Sequence, residues 1–174
     1  TSRAARTCLT NALFSLAHVD TSKHSAQSPI MIPRTPLFLG LAGLLPFIWG
    51  ALTLVSSDLA IWATQTMGPR FGGPFVLLNY GTIILAFMSG VLWGFATKSE
   101  LALNYVLSVL PALWVFFMVG AGVTSSATYL IAGFLGLLAL DWHFTAQGLT
   151  PEWWMRLRVL LTVVVVACLS LLVI

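Results

Sequence analysis

Residues 74–97 read PFVLLNYGTIILAFMSGVLWGFAT, a run of 24 residues that contains no charged side chain. A helix of this length rises about 36 Å, which is enough to cross the roughly 30 Å hydrocarbon core of a bilayer. The run is too long for a membrane strand of about 9–11 residues, and it lacks the strict polar–apolar alternation of a barrel strand. It therefore predicts a transmembrane helix and decides the class of the fold.

Four more apolar runs flank this one. Because only helices and closed barrels satisfy the backbone in lipid, we read each run as a helix. The sequence predicts an all-α membrane protein, a bundle of five transmembrane helices joined by short connections. The four additional runs are 36–55, 101–119, 126–142 and 159–174.

The composition of the whole chain supports a membrane protein. Among 174 residues there are eight Lys or Arg and five Asp or Glu, and the mean hydropathy is +0.96. An ordinary soluble domain carries about a quarter charged residues, so this chain could not cover a soluble surface. The net charge is only +3 and the basic residues form no continuous run, which argues against nucleic acid as a partner.

Residues 1–35 differ from the rest of the chain. They are rich in Ser, Thr and Ala, carry basic residues, and contain the single acid Asp20. This bias is typical of organelle targeting sequences. Because the chain begins with Thr1, we expect a segment upstream to have been removed, which leaves either a presequence remnant or a plain polar tail. We therefore predict an extended polar N-terminal tail over 1–35 and a five-helix transmembrane domain over 36–174.

The longest connection between spans, residues 56–73, has a helical pattern of its own. Ser57 and Asp58 can cap a helix, and Gly68 with Pro69 can end it. Apolar residues between them fall on one face, which is typical of a helix lying in the membrane interface. The sequence predicts a short interfacial helix. The apolar residues are Leu59, Trp62, Ala63 and Met67.

The basic residues predict how the bundle is oriented. With five spans, seven Lys or Arg lie on the side of the N-terminal tail and only Arg70 lies on the other. The positive-inside rule places the richer side in the matrix or cytoplasm. We expect a multi-pass protein of the mitochondrial inner membrane, with its N-terminus in the matrix and its C-terminus in the intermembrane space. The seven are Arg3, Arg6, Lys23, Arg34, Lys98, Arg156 and Arg158.

Small residues recur every four positions in the second span, at Thr82, Ala86, Gly90 and Gly94. They form a stripe on one helix face that another backbone can approach closely. The stripe fits either a groove for the helix of a partner protein or packing inside this bundle. We favour packing inside the bundle.

Asp141 lies near the end of the fourth span, close to Arg156 and Arg158. Asp141 and His143 could serve a proton relay, but residues two apart on a helix point to different faces. We therefore favour an ion pair between Asp141 and Arg158 that joins the last two spans. Arg156 and Arg158 could also contact phospholipid headgroups, cardiolipin among them, on the matrix side.

No catalytic, cofactor-binding or metal-binding residues are predicted. The chain contains no phosphate loop, dinucleotide fingerprint, zinc helix or nucleophile elbow. His143 is the one histidine near the spans, so a haem with two histidine ligands has no second ligand. Cys8 and Cys168 have neither metal spacing nor a disulfide pattern.

Two stretches together resemble the transmembrane protein 69 family, a membrane domain of unknown function from bacteria and mitochondria. Residues 80–96 read YGTIILAFMSGVLWGFA, and a second group of matching residues begins at Asp141. The similarity covers about residues 36–174 and implies a five-helix membrane protein without an established catalytic residue. Family members often have Ser, Gly and His or Arg at positions 86, 89 and 92, where this chain has Ala, Ser and Leu. The second group continues with Gly148, Pro151, Trp153, Leu157, Arg158, Leu161 and Thr162.

These observations favour a non-catalytic accessory subunit of a larger mitochondrial inner-membrane complex, and we expect that complex to be one of the respiratory chain. Its expected partners are other membrane subunits and phospholipids. Two alternatives stay open. One is a small transporter or channel, because such proteins often have prolines inside spans, as at Pro46 and Pro111, and ionisable residues near span ends, as at Asp141. The other is a transient assembly factor, which would need surfaces similar to those of a subunit.

The predicted topology can be tested by labelling single cysteines introduced at Ser99 and Ser125. The basic-residue bias places the two positions on opposite sides of the membrane. A membrane-impermeant thiol reagent applied to mitoplasts should therefore label only the cysteine at position 125. Labelling of both positions from one side would contradict the five-span topology.

Overall fold

The computed structural model describes residues 31–174, and predictions made for residues 1–30 lie outside the described residues. Within 31–174 the chain is helical, with turns and irregular connections and without a β-strand. The helices are α1 Arg34–Ala42, α2 Leu45–Val55, α3 Ser57–Thr66, α4 Gly73–Ala96, α5 Ala102–Met118, α6 Val123–Ala146 and α7 Trp154–Ser170, with a 3₁₀ turn at Pro69–Phe71.

Three helical stretches within the described residues are long and apolar enough to cross a membrane. They are Arg34–Val55, which combines α1 and α2, then α4 and α6. Helix α5 is apolar but shorter, at 17 residues, and α7 has the same length. The all-helical membrane class predicted from the sequence is therefore confirmed.

The first apolar stretch is interrupted between Ala42 and Leu45. Pro46 stands at the start of α2. Proline has no backbone N–H, and its ring clashes with the carbonyl four residues earlier, which is that of Ala42. The backbone turns at Gly43 and Leu44, and the helix begins again at Leu45.

A separate short helix, α3, follows α2. The Ser56 side chain caps it by accepting a hydrogen bond from the backbone N–H of Leu59 at 3.4 Å, so the cap lies one residue earlier than predicted. The chain leaves it through Gly68, whose φ of +98° favours glycine. Ala63 is the only buried residue of α3.

Helix α4 lies at the centre of the bundle and packs against α2, α5, α6 and α7. Its inward face carries fully buried leucines, among them Leu77, Leu85 and Leu92. A hydrogen bond from Ser89 Oγ to the carbonyl of Ser108, 2.5 Å long, joins α4 to α5. Van der Waals packing of these side chains, with a few polar contacts, holds membrane helices together.

Close helix contacts are made where glycine removes a side chain. A Cβ placed on Gly133 of α6 would lie 2.5 Å from Leu85 Cδ2 and 3.0 Å from Trp114 Cδ1. A Cβ on Gly50 of α2 would lie 2.7 Å from Leu77 Cγ. These two glycines let α6 and α2 approach the centre of the bundle.

The stripe at Thr82, Ala86, Gly90 and Gly94 does not pack inside this bundle, so the favoured interpretation is wrong. Thr82 is half-buried, and the other three residues are exposed. A Cβ on Gly90 or Gly94 would meet nothing within 4 Å. The leucine face turns inward instead, because each leucine makes many more van der Waals contacts than a glycine.

Several predicted boundaries also need correction. Helix α6 begins at Val123 rather than at residue 126 and continues to Ala146. Helix α7 begins at Trp154, because Arg158 and the residues before it can continue the helix of the apolar run. The loop predicted over 143–158 is therefore only the segment 147–153.

The two kinds of glycine should respond differently to substitution. Gly133→Leu overfills the contact with Leu85 and Trp114, and overpacking of this kind costs about 1–3 kcal/mol. Gly90→Leu, the control, enters open space and should leave the free energy of unfolding nearly unchanged. Unfolding in mixed detergent micelles, followed by circular dichroism, measures both. An equal loss of stability in the two variants would contradict the finding that Gly133 lies inside the bundle and Gly90 faces outward.

Candidate functional site

A buried ion pair joins the last two helices. The Arg158 Nε donates to Asp141 Oδ2 at 2.7 Å. Asp141 is 0% exposed and Arg158 is 5% exposed. Asp141 lies five residues before the end of α6 and Arg158 four residues after the start of α7, about 6–8 Å inside the helix ends.

Trp154 completes the carboxylate site. Its indole Nε1 donates to Asp141 Oδ1 at 2.8 Å, so each carboxylate oxygen accepts a hydrogen bond. The Trp154 ring also packs edge-on against Phe95 of α4, with ring centroids 5.0 Å apart. The site therefore links α7 both to α6 and to the central helix.

This geometry suits a structural role better than proton transfer. Asp141 is held by Trp154 and Arg158, and the Thr145 hydroxyl donates to the Asp141 carbonyl at 2.7 Å. His143 is turned elsewhere: its Nε2 lies 2.7 Å from Gln147 Nε2. The structure thus brings Asp141 and Arg158 together and does not bring Asp141 and His143 together.

A second polar cluster joins α5 to the end of α6. Asn104 is 0% exposed, and its Nδ2 donates to Ser99 Oγ at 2.8 Å and to Gln147 Oε1 at 2.7 Å. Gln147 Nε2 lies 3.4 Å from Asn104 Oδ1, so the two amides face each other. Sequence reasoning missed this pair. Its only sequence signal is that both residues lie at the same predicted membrane boundary.

Arg158 does not contact surface headgroups as predicted, because its charge faces the buried carboxylate of Asp141. Arg156 is exposed and remains the basic residue of this pair that reaches the surface. One terminal nitrogen of Arg158, Nη2, is buried and has no hydrogen-bond partner among the described residues. The same is true of Thr162 Oγ1, one turn further along α7.

Metal ligands are not grouped in the part of the chain that the structure describes. No three His, Cys, Asp or Glu side chains between residues 31 and 174 come together. Cys168 is a buried free thiol in α7. The buried polar groups of the described bundle mainly connect helices to one another.

The fold and the buried pair define an integral membrane protein of the all-helical class. Residues 32–174 match the family described as "Protein of unknown function (DUF3429)", and the chain belongs to this family. It is 36% identical over 141 residues to Transmembrane protein 69 of Xenopus tropicalis, which confirms the family resemblance. That match covers 77% of this chain and 51% of the relative, so the chain spans about half the length of the relative. No solved structure matches the chain.

The role of Trp154 can be measured with a neighbouring tryptophan as control. Trp154→Phe keeps an aromatic ring but leaves Oδ1 of a buried carboxylate unpaired, which costs about 1–3 kcal/mol. Trp153→Phe is a change of the same size that keeps both contacts of Asp141. Unfolding in mixed micelles should separate the two variants. Equal stabilities would show that the indole contact contributes nothing.

Proposed function

We propose that this protein is a non-catalytic accessory subunit of a larger complex of the mitochondrial inner membrane, namely one of the respiratory chain. Its partners on this proposal are other membrane subunits and phospholipids, cardiolipin among them, with Arg156 as an exposed basic contact. The bundle itself would bind no cofactor and would catalyse no reaction.

One observation carries the proposal: the small residues of α4 face outward. Ala86, Gly90 and Gly94 are exposed, and a Cβ on either glycine would meet nothing within 4 Å. In a helix, each glycine costs about 1 kcal/mol relative to alanine, and these two make no close contact in this chain. A helix of a neighbouring subunit could approach such a stripe closely, as small-residue interfaces in membranes allow.

The polar groups support a scaffold rather than a transporter. Asp141 and Arg158 neutralise each other, and Asn104 and Gln147 bind each other. These contacts stabilise helix–helix joints. A transport pathway would instead need polar groups that face a water-filled route across the bundle.

The proposed topology has five spans. The first is formed by α1 and α2, and α4, α5, α6 and α7 form the others, with α3 lying along the interface. At 17 residues, α5 and α7 are at the short end of the spanning range of about 17–25 residues. Lys98 Nζ donates to the Leu149 carbonyl at 3.3 Å. The α4–α5 connection and the α6–α7 connection therefore lie at the same end of the bundle, which is the proposed matrix end.

Native electrophoresis in mild detergent, with mass spectrometry of the band that contains this chain, tests the proposal. We expect the chain in stoichiometric amounts with subunits of a respiratory complex. Gly90→Leu should lower the co-migrating fraction about tenfold, the effect of losing about 1.4 kcal/mol of contact energy. The control Gly136→Leu changes an exposed glycine of α6 and should keep the fraction unchanged.

The other outcomes decide between the alternatives. A chain that migrates alone, or a Gly90→Leu variant that co-migrates like the wild type, would contradict the subunit proposal. Association only with incomplete complexes would indicate an assembly factor. Solute uptake by vesicles that contain the purified chain would indicate a transporter.

A further inference from the structure

A cavity of about 370 Å³ lies between α7 and the helices α1, α2, α4 and α6. Its wall is mostly apolar and includes Phe47, Val91 and Phe134. Arg158 and Thr162, both from α7, are the two buried polar residues of the lining. The cavity therefore combines an apolar body with a polar group on one wall.

The polar atoms of that wall are incompletely paired. Arg158 uses Nε for Asp141, and no described residue accepts a hydrogen bond from its Nη2. Thr162 Oγ1 also lacks a partner among the described residues. Arg158 is 5% exposed and Thr162 is 3% exposed. Buried donors without an acceptor are rare in folded proteins, so these groups indicate an acceptor supplied from outside the described residues.

The cavity has the length of one membrane leaflet. Its lining runs along α7 from Trp154 to Val165, a rise of about 16 Å. The hydrocarbon core of a bilayer is about 30 Å thick, so one leaflet accounts for about 15 Å. The volume holds about a dozen methylene-sized groups if each takes the roughly 30 Å³ of a water molecule. This shape fits one acyl chain.

The outer wall of the cavity faces the surroundings of the bundle. Leu39 of α1 and Phe87 of α4 both line the cavity and are 68% and 63% exposed. A lipid of the surrounding bilayer can therefore place a chain between α1 and α4 without unfolding of the bundle. Arg158 lies about 6 Å inside the start of α7, so it would lie close to the ester groups of a lipid whose chain fills the cavity.

We infer that the cavity binds one acyl chain of a membrane glycerophospholipid, with an ester carbonyl oxygen accepting a hydrogen bond from Arg158 Nη2. A neutral carbonyl suits this position because Asp141 already neutralises the guanidinium. A carboxylate or phosphate would leave an unbalanced negative charge in the buried site. The inference requires only that the bundle lies in a membrane, so it stands independently of the subunit proposal.

Native mass spectrometry of the purified full chain tests this inference. After repeated exchange into lipid-free detergent, the wild type should retain one glycerophospholipid per chain. Extraction and chromatography of the retained molecule then identify its class. A glycerophospholipid with intact ester bonds is the expected result.

Two variants act on the cavity in different ways. Arg158→Lys keeps a cation for Asp141 but replaces the planar guanidinium, in which Nε and Nη2 are separate donors, with a single ammonium nitrogen. It should lower lipid retention about tenfold, as the loss of one charge-assisted hydrogen bond predicts. Val91→Phe leaves the ion pair intact and fills part of the cavity, and it should lower retention by a similar factor. The matched control is Leu113→Phe, which enters a separate cavity between α5 and α6 and should retain lipid like the wild type.

Three results would overturn the inference. A wild type that releases all lipid would show that only water or detergent fills the cavity. Retention of a free fatty acid in place of a phospholipid would assign the site to a different ligand. Undiminished retention in folded Val91→Phe, with circular dichroism like that of the wild type, would show that lipid binds elsewhere.

Discussion

The attraction between Asp141 and Arg158 sets the relative rotation of the last two helices. An isolated charge in the hydrocarbon core is costly, so each of these residues must face the other across the α6–α7 contact. Their burial at 0% and 5% exposure leaves little alternative geometry, since turning either helix outward would expose a charge to lipid. The Trp154 indole donates a hydrogen bond to the second carboxylate oxygen of Asp141, which further restricts the orientation of α7 relative to α6.

The rest of the bundle is arranged around that constraint. Trp154 packs against Phe95, which places α7 beside the end of α4. Helix α4 then presents its leucine face to the interior, and Gly133 and Gly50 allow α6 and α2 to approach it. With α4 rotated in this way, its stripe of small residues faces outward. The outward stripe and the cavity beside Arg158 both follow from the packing that the ion pair specifies.

The sequence predicted the helical membrane class and the Asp141–Arg158 pair because charges are rare in this chain. With so few ionisable residues near the spans, the pairing of Asp141 had few candidates. The rotation of α4 could not be predicted in the same way. Both faces of a membrane helix are apolar, so no polar side marks the face of α4 that points outward. The Asn104–Gln147 pair depends on contact between residues 43 positions apart, which one sequence does not reveal.

A double-mutant cycle of Asp141→Leu and Arg158→Met tests the central claim that the ion pair organises the bundle. Each single change leaves one buried charge unpaired and should lower the free energy of unfolding by about 3–5 kcal/mol. The double variant removes both charges, and its stability should return to within about 1–2 kcal/mol of the wild type, because an apolar pair of similar volume can replace a buried ion pair. Unfolding in mixed micelles gives all four values. If the two single losses simply add in the double variant, the residues do not interact and the account is wrong.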